Sequence, residues 1–334
     1  MIKVNELFSG IGAFRKALIN LNIPHQIIGI SEIDKYAIKS YEAMYGETRN
    51  YGDISKVQKL DYADLWTYGF PCQDISVAGF QQGIIPGETR SGLLYEVQRL
   101  LWVAKENGEL PKYLILENVK NLVGKKFKAQ FLDWLQWLDE LGYNSYWDVI
   151  NARNCGVPHQ RERVLAVSIR KDVDNGTFKM PEPIPLKKKL SDCLESGFVD
   201  REVSLTIARR YAGFNGSQSY LRRRYFGKSF GQAVFEGDTT VNEQREFFKS
   251  DPYKEFPCGG RIRQMTTLEC FRLFGFSDSD HEKAASVSPP TQLYYQAGNS
   301  IVVDVLMLIL QNIFLSKNSP MVLSAWLDSI LLGR

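Results

Sequence analysis

One cysteine of the five stands where the chain can present a reactive thiol. Cys72 follows Pro71 in the motif Gly-Phe-Pro-Cys-Gln-Asp (residues 69–74), at the end of an apolar, aromatic run over residues 63–70. A thiol on a strand-to-loop turn lies at the mouth of a site, and a thiolate is a strong nucleophile. Residues 75–92 carry four glycines and predict a loop that is either a lid closing on substrate or a plain surface loop.

A carboxyl group and two guanidinium groups lie next to the ends of other predicted strands. Glu117 follows one apolar strand, and Arg161 and Arg163 flank Glu162 just before another. Residues two apart on an extended chain point the same way, so the two arginines are predicted to share a direction. A carboxylic acid can protonate a ring nitrogen, and guanidinium groups can hold a carbonyl oxygen and favour a thiolate. Together with Cys72 these side chains form a candidate catalytic site at the C-terminal edge of a sheet.

The chain opens with a strand, a glycine-rich turn and a helix, as nucleotide-binding α/β units do. Gly10 and Gly12 allow a ligand to approach the backbone closely, and Glu32 ends the second strand about 20 residues later, where a carboxylate can accept ribose hydroxyls. Asp53 can accept a hydrogen bond from an adenine amino group. An ordinary tight turn and a solvated acidic residue are the alternative interpretations. Because the third glycine of a dinucleotide fingerprint is missing, the pattern favours S-adenosylmethionine over NAD.

Basic residues are concentrated in one part of the chain. Residues 201–228 contain seven basic residues and one acidic residue, a local charge of +6 in a chain whose formal net charge is only +3. Aromatic residues are interleaved with them. Such a region can neutralise phosphates and read guanine edges, and a solvated charged face is the alternative.

The remaining composition is that of an ordinary globular protein without special frameworks. The five cysteines are widely spaced without a C-x-x-C pair, which argues against a disulfide scaffold or a zinc ribbon and predicts a reducing compartment and no metal site. No signal peptide is recognisable, and residues 301–315, the most apolar segment, are interrupted by polar side chains. We therefore expect a cytoplasmic protein without a membrane span.

The order of predicted elements indicates an α/β fold, with a doubly wound sheet over about 170 residues. A polar segment with three prolines, residues 171–185, then ends the alternation of strands and helices. Helical periodicity returns at residues 267–274, with Thr266 or Thr267 as N-cap. Residues 296–300 are predicted to form a turn that heads an apolar helix.

Taken in order, these motifs resemble those of the DNA cytosine C5-methyltransferases, of bacterial or phage type, over essentially the whole chain. Residues 8–12 resemble the first cofactor motif, residues 69–73 the nucleophile motif and residues 117–119 the acid motif. Residues 160–163 are similar to the family's Gln-Arg-x-Arg motif, and residues 296–300 to the last cofactor motif. The departures are Glu6 where Asp is usual, Ala13 where a further Gly is common and Ile33 where an aromatic residue often stacks on adenine.

The resemblance implies a Rossmann-like S-adenosylmethionine-dependent methyltransferase sheet with a smaller, irregular target-recognition domain. Residues 1–170 are expected to form the catalytic and cofactor-binding domain, residues 171–262 the DNA-reading domain, and residues 263–334 a segment that returns to the catalytic domain. The expected catalytic residues are Cys72, Glu117, Arg161 and Arg163. The expected cofactor-binding residues are Phe8, Gly10, Gly12, Glu32, Ile33, Asp53, Ile54, Pro71, Leu93, Asn299 and Ser300. The expected DNA-binding residues are Gln82, Arg209, Arg210, Arg222, Arg223 and Arg224.

The same resemblance implies a reaction. A cytosine is flipped out of duplex DNA, Cys72 adds to its C6, Glu117 engages N3, and Arg163 holds O2 with Arg161 as structural support. The activated C5 then accepts the methyl group of S-adenosylmethionine. We expect a monomer acting on double-stranded DNA, with a restriction endonuclease as a possible genetic partner. The alternatives are a tRNA cytosine methyltransferase of the same fold, a non-catalytic DNA-binding relative and a nicotinamide oxidoreductase.

Overall fold

The structure is a computed structural model that describes residues 1–72, 75, 84–85, 87–88, 90–208, 211, 217–218, 220–221, 225, 232–237 and 261–315. The chain divides into two compact units. Unit 1 comprises Met1–Ile150, Glu162–Glu182 and Val305–Arg334, and unit 2 comprises Asn151–Arg161 and Pro183–Asp304. Residues 263–304 thus cluster with unit 2, whereas the sequence-based boundaries placed them with the catalytic segment.

Unit 1 is built on a six-stranded sheet. Its strands are β1 Ile2–Leu7, β2 His25–Ser31, β3 Leu65–Tyr68, β4 Tyr113–Val119, β5 Tyr143–Asn151 and β6 Glu162–Arg170, in the spatial order β2-β1-β3-β4-β6-β5. The first four strands pair in parallel. All four residues of β3 are buried, as expected for an inner strand of a parallel sheet covered on both faces. This confirms the predicted α/β, Rossmann-like fold class.

Helices alternate with the first five strands. They are α1 Ala13–Asn20, α2 Lys35–Tyr45, α3 Leu94–Glu106 and α4 Lys128–Leu141. Each buries one apolar face, as Val97, Leu100, Leu101 and Ala104 show in α3, where they recur at helical spacing. Right-handed βαβ connections place such helices against the sheet, and the carboxyl ends of β1 to β4 then meet at one edge.

The sixth strand departs from the doubly wound prediction because β6 runs antiparallel to β4, with Val119 opposite Arg163. No α-helix connects β5 to β6; the link contains only a 3₁₀ turn at Ala152–Asn154, and the N–H of Ala152 donates to the carbonyl of Arg161 at 2.9 Å. A parallel return would need a crossover of a dozen or more residues. The short link therefore brings the start of β6 to the edge at which β4 ends.

The described part of unit 2 contains a two-stranded antiparallel sheet and several short helices. They are β7 Ala233–Glu236, β8 Arg261–Gln264, α5 Thr267–Leu273, α6 Asp278–Ala285 and α7 Pro290–Asn299. Thr266 is the N-cap of α5, in a reciprocal capping box with Glu269. The predicted helix at residues 267–274 is thereby confirmed within one residue.

Residues 296–300 do not form the predicted turn. Residues 296–299 are the last turn of α7, and Ser300 is its C-cap. Pro290 starts this helix with a favourable fixed φ, and Leu293, Gln296 and Ala297 continue one buried face. A final helix, α8, spans Val303–Phe314.

Among the described residues, one stretch passes the length and hydropathy criteria for a membrane span, Pro290–Phe314. The expectation that no segment approaches a span was wrong on those criteria. The stretch is interrupted at residues 300–302 between α7 and α8, and 56% of its most apolar window is buried inside the protein. Such burial is what the core helices of a protein show.

Candidate active site

The loop after β1 has the backbone expected of a ligand-binding turn. Phe8, Gly10 and Gly12 all have positive φ, at 56°, 54° and 76°. A Cβ on Gly12 would lie 2.6 Å from a ring carbon of Tyr41, so the backbone there can pack against that ring only because the residue is glycine. Gly10 has open space where a side chain would stand.

Glu32 lies beside this loop. One carboxylate oxygen accepts the N–H of Gly10 at 2.9 Å, and the other accepts those of Ile33 and Asp34 at 2.8 and 2.9 Å. The side chain of Asn50, which the sequence did not single out, bonds to both backbone polar groups of Glu32 at 3.2 and 3.0 Å. The Ile33 side chain is 73% exposed, so an apolar surface stands next to the carboxylate, as an adenosine group would require.

The other expected cofactor residues of unit 1 are distributed over three further segments. Asp53 caps a 3₁₀ turn by accepting the hydroxyl of Ser55 at 2.7 Å and its N–H at 3.0 Å, and these hydrogen bonds lower the pKa of Asp53. Ile54 is buried. The carbonyl of Pro71 accepts the hydroxyl of Ser91 at 2.7 Å, and Leu93 is the N-cap residue of α3.

Cys72 lies just beyond the C-terminal end of β3 and is half-buried. Its carbonyl accepts the N–H of Ile75 at 3.1 Å, and the preceding carbonyl of Phe70 accepts the side-chain amide of buried Asn118 at 3.0 Å. The amide of Asn121 donates to Ile75 at 2.5 Å. Asn118 at the end of β4 and Asn121 just after it therefore hold the turn that carries the thiol.

The other described cysteines are buried thiols of a different kind. Cys155, Cys193 and Cys270 are at most 4% exposed. Burial raises the pKa of Cys155 to about 11 and raises the pKa of Cys193 and Cys270 as well. A buried thiol of raised pKa is unreactive at neutral pH, which leaves Cys72 as the candidate nucleophile of the described residues.

Glu117 and Arg163 form an ion pair across the β4–β6 ladder. Nε of Arg163 lies 2.9 Å from Oε1 of Glu117, and Nη1 of Arg163 donates to its neighbour's carbonyl at 2.8 Å. A Cβ on Gly69 would lie 3.3 Å from the other oxygen of Glu117. The acid therefore lies against the nucleophile motif, and a glycine leaves the room for it.

The two arginines have separate partners, contrary to the expectation that they share a direction. Arg161 belongs to unit 2 and is 3% exposed. Its guanidinium donates to the carbonyls of Ile207, Gly298 and Ser300 at 3.1, 3.0 and 2.8 Å, and it lies over the ring of Phe274. Arg161 therefore holds the end of α7 in place within unit 2. At that end Asn299 is exposed and Ser300 is buried.

The predicted DNA-reading residues, Gln82, Arg209, Arg210, Arg222, Arg223 and Arg224, lie outside the described residues. So does most of the predicted loop over residues 75–92.

Sequence reasoning missed a buried cluster under the cofactor loop. Glu6 is 1% exposed and accepts the N–H of Arg15 at 3.0 Å and the hydroxyl of Tyr41. The guanidinium of Arg15 lies over the ring of Tyr45, whose hydroxyl donates to the carbonyl of Gly12 at 3.1 Å. Burial raises the pKa of Glu6, against the effect of these hydrogen bonds. The only signal for this cluster in the sequence was the departure at Glu6 itself.

Three features together define an α/β enzyme with a nucleophilic cysteine. They are the sheet, the glycine loop with its carboxylate, and the thiol beside an acid–guanidinium pair. The sequence profile of the C-5 cytosine-specific DNA methylases matches residues 2–315. The chain belongs to this family and is a DNA (cytosine-5-)-methyltransferase.

Relatives of similar length support this assignment. The chain is 32% identical to the type II methyltransferase M2.ScrFI of Lactococcus lactis subsp. cremoris, over 95% of this chain and all of that protein. It is 32% identical to the type II methyltransferase M.NlaX of Neisseria lactamica, over 92% of this chain and 94% of that protein.

Solved structures share the fold. The Dnmt2 methyltransferase of S. pombe superposes with a TM-score of 0.70 at 21% identity, covering 93% of this chain and 97% of that one. A putative DNA modification methyltransferase encoded within a prophage of E. coli gives 0.57 at 19% identity, covering 93% and 98%. They confirm the predicted fold class, as the sequence profile confirms the predicted family.

Proposed function

We propose that this enzyme transfers the methyl group of S-adenosylmethionine to C5 of a cytosine flipped out of duplex DNA, through a covalent bond from Cys72 to C6. The observation that carries the proposal is the convergence of the nucleophile and acid motifs. The turn that bears Cys72 is held by Asn118, the residue after Glu117, and Gly69 lies against the Glu117 carboxylate.

The residues of unit 1 fit an adenosine-containing cofactor. Glu32 places two acceptor oxygens beside the Phe8–Gly12 loop, where they can take ribose hydroxyls. Gly10 leaves space for a ligand to approach the backbone, and exposed Ile33 offers an apolar face. When bound, S-adenosylmethionine would supply the methyl group, its S–CH₃ bond breaking so that the sulfur leaves as a neutral thioether. Asp53, Ile54, Pro71, Leu93, Asn299 and Ser300 complete the proposed cofactor set.

The chain's own side chains carry the covalent steps. The Cys72 thiolate adds to C6 of the cytosine, and the electron pair of the C5–C6 bond moves so that C5 becomes nucleophilic. Glu117 engages N3 and thereby stabilises the adduct, while Arg163, paired with Glu117, orients the acid and holds O2. After methylation a base removes the C5 proton, the ring double bond re-forms and Cys72 leaves as the thiolate. Arg161 acts as structural support.

The proposed partner is double-stranded DNA, read by residues 171–262 with the basic side chains named above. The reading residues include Gln82 in the glycine-rich loop, which would close over the DNA. We propose a monomeric, cytoplasmic enzyme that protects DNA in a restriction–modification system, with a cognate endonuclease as genetic partner.

Methyl transfer distinguishes this proposal from its alternatives. The protein is incubated with S-adenosylmethionine carrying a tritiated methyl group and with long unmethylated duplex DNA of mixed sequence or with bulk tRNA. We expect label in 5-methylcytosine of DNA only, and none with Cys72→Ala. Label in tRNA alone, or label that survives the substitution, would contradict the proposal.

The covalent step has its own test. Duplex DNA in which 5-fluorocytosine replaces cytosine throughout contains every candidate site. With S-adenosylmethionine present, the methylated C5 of the adduct carries fluorine in place of the proton, so the final elimination is blocked. We expect a protein–DNA adduct that resists denaturation and maps to the peptide containing Cys72. Glu117→Gln is expected to slow its formation, and Cys72→Ala to abolish it.

A further inference from the structure

A basic turn follows the acid motif directly. Residues 118–132 contain four lysines and no acidic residue. Lys120 is paired with Glu162 at 2.9 Å, whereas Lys125, Lys126 and Lys128 are exposed in the segment 124–128, called here the lysine turn. Among the described residues, neither Lys125 nor Lys128 takes part in an ion pair. This turn was not among the residues that the sequence motifs single out.

The lysine turn is mounted on buried anchors. Leu122 is fully buried just before it, and Phe127 within it is 2% exposed. Its backbone closes through hydrogen bonds from the N–H groups of Phe127 and Lys128 to the carbonyl of Gly124, both at 3.0 Å. Such anchoring lowers the ordering entropy that a binding partner must offset.

The same segment is tied to the catalytic turn. Asn121 donates to the carbonyl of Ile75 at 2.5 Å, and the N–H of Ile75 donates to the carbonyl of Cys72 at 3.1 Å. The lysines therefore stand on the surface that adjoins the C-terminal edge of the sheet, where the target base must enter.

The placement of these three positive charges lowers the stability of the fold. Helix α4 begins at Lys128 and has no acidic residue in its first turn. Cations near a helix N-terminus are unfavourable because they oppose the positive end of the helix dipole, and three neighbouring lysines repel one another. A local arrangement that opposes stability is typical of a functional surface.

We infer that the lysine turn binds backbone phosphates of the DNA duplex beside the flipped cytosine. This inference rests on the proposed function. It adds a second phosphate-binding surface, on unit 1, to the basic region predicted at residues 201–228. Lysine ammonium groups on flexible stems suit phosphates rather than base edges, because they act as point charges without the planar fork of arginine. The contacts therefore add affinity and register without reading sequence.

The test compares two triple variants of the full chain with equal charge. Lys125→Gln/Lys126→Gln/Lys128→Gln removes the lysine turn, and Lys3→Gln/Lys105→Gln/Lys171→Gln removes three exposed lysines at the opposite edge of the sheet of unit 1. Each lowers the formal net charge from +3 to 0, because three positive charges are removed. Binding to a long unmethylated duplex of mixed sequence is measured by fluorescence anisotropy over a range of salt concentrations.

The plot of log K against log salt concentration should be shallower for the lysine-turn variant. Its slope should be smaller in magnitude by about 2 to 3 at most, because each phosphate contact contributes about 0.9. Its KM for DNA should rise by about tenfold or more, with the KM for S-adenosylmethionine unchanged, and the control variant should behave as wild type. Equal slopes for the two variants, with both folded by circular dichroism, would overturn the inference. Failure of the wild-type enzyme to methylate DNA would instead overturn the proposed function, because the salt slopes are measured without turnover.

Discussion

Nε of Arg163 and Oε1 of Glu117 lie 2.9 Å apart, and their side chains are only 18% and 12% exposed. Glu117 stands opposite Leu165 in the β4–β6 ladder, and Arg163 is two residues from Leu165. The pair is therefore diagonal, with both side chains on one face of the sheet. Two charges largely withdrawn from water balance each other, so the loss of either leaves the other poorly compensated.

A double-mutant cycle tests this coupling. Glu117→Gln and Arg163→Gln should each lower the free energy of unfolding by about 1–3 kcal/mol, since each leaves a part-buried charge without its partner. The double variant should lose less than the sum of the two, while methyl transfer falls by about 10²–10⁴-fold in Glu117→Gln and is not recovered in the double variant. Urea unfolding and the tritium assay measure the two effects separately. Strict additivity in the unfolding data would show that the pair does not stabilise the fold.

Replacing each of two glycines of the Phe8–Gly12 loop by alanine should have a different effect. In Gly12→Ala the new Cβ would lie 2.6 Å from the Tyr41 ring at a φ of +76°, so we expect both clash and strain, at about 2–4 kcal/mol in all. Gly10→Ala has a φ of +54° and open space, so it should cost about 1 kcal/mol of strain but raise the KM for S-adenosylmethionine.

Gly108→Ala is the matched control, because its φ is +67°, its surroundings are open and it follows the end of α3, outside the segments that pack around the loop. It should show the strain alone, with an unchanged KM. If Gly10→Ala left the KM for the cofactor at the wild-type value, the loop would not be the cofactor site.

Much of the fold could be predicted because it depends on local pattern. The buried runs at β1 and β3 and the helical spacing in α3 predict their elements directly. The direction of β6 could not be predicted in this way, because strand direction depends on the connection, and the link of residues 152–161 contains no periodic signal. Residues 296–300 were misinterpreted for a related reason: Gly, Asn and Ser favour turns, but the buried face of α7 continues through them.

The candidate site could be predicted wherever a side chain has a chemical role that does not depend on packing. Cys72, Glu117 and Glu32 were found from residue type and from their position at strand ends. Supporting residues such as Asn50 and Asn118 act through hydrogen bonds to backbone groups far along the chain. Those contacts exist only once the sheet has formed, so neither residue type nor spacing could predict them.

Arg161 should act on the cofactor through the end of α7. Arg161→Lys keeps the charge but loses the fork that reaches Ile207, Gly298 and Ser300. We expect a loss on the order of 2 kcal/mol in unfolding free energy. Because the chain around Asn299 is loosened, the KM for S-adenosylmethionine should rise more than kcat falls.

Arg263→Lys is the control, because this guanidinium also lies in unit 2 and pairs with Glu236 and Glu269, both at 2.8 Å. It should destabilise the protein without a selective change in the KM for the cofactor. Equal kinetic effects in the two variants would show that Arg161 supports the fold without positioning the proposed cofactor residues at the end of α7.

Thiol labelling should single out Cys72. In a Cys258→Ser background, chosen because Cys258 lies outside the described residues, iodoacetamide under mildly alkaline conditions should add one group to the folded protein. Cys155, Cys193 and Cys270 are buried with raised pKa, so they should react only after unfolding. Peptide mapping locates the label, and loss of methyl transfer should parallel its incorporation. Rapid labelling of Cys155 would contradict this burial.

Glu6 should give the stability of the protein a pH dependence of defined sign. Burial raises its folded pKa above the ordinary value of 4.5, so the folded chain keeps a proton at pH values where the unfolded chain has lost it. The contribution of Glu6 to stability is therefore fully present below the unfolded pKa and declines as the pH rises through the folded pKa, by at most about 1.4 kcal/mol per pH unit for one proton.

Glu6→Gln removes this titration while keeping the size of the side chain. Urea unfolding of wild type and variant over a pH series that starts below 4.5 should show the wild type losing stability relative to the variant as the pH rises, until Glu6 is ionised in both states. Glu42→Gln, at an exposed position next to Tyr41 on α2, controls for the loss of a surface carboxyl. A wild-type advantage that grew with pH would mean that the bonds from Tyr41 and Arg15 outweigh burial and hold Glu6 ionised beneath the cofactor loop.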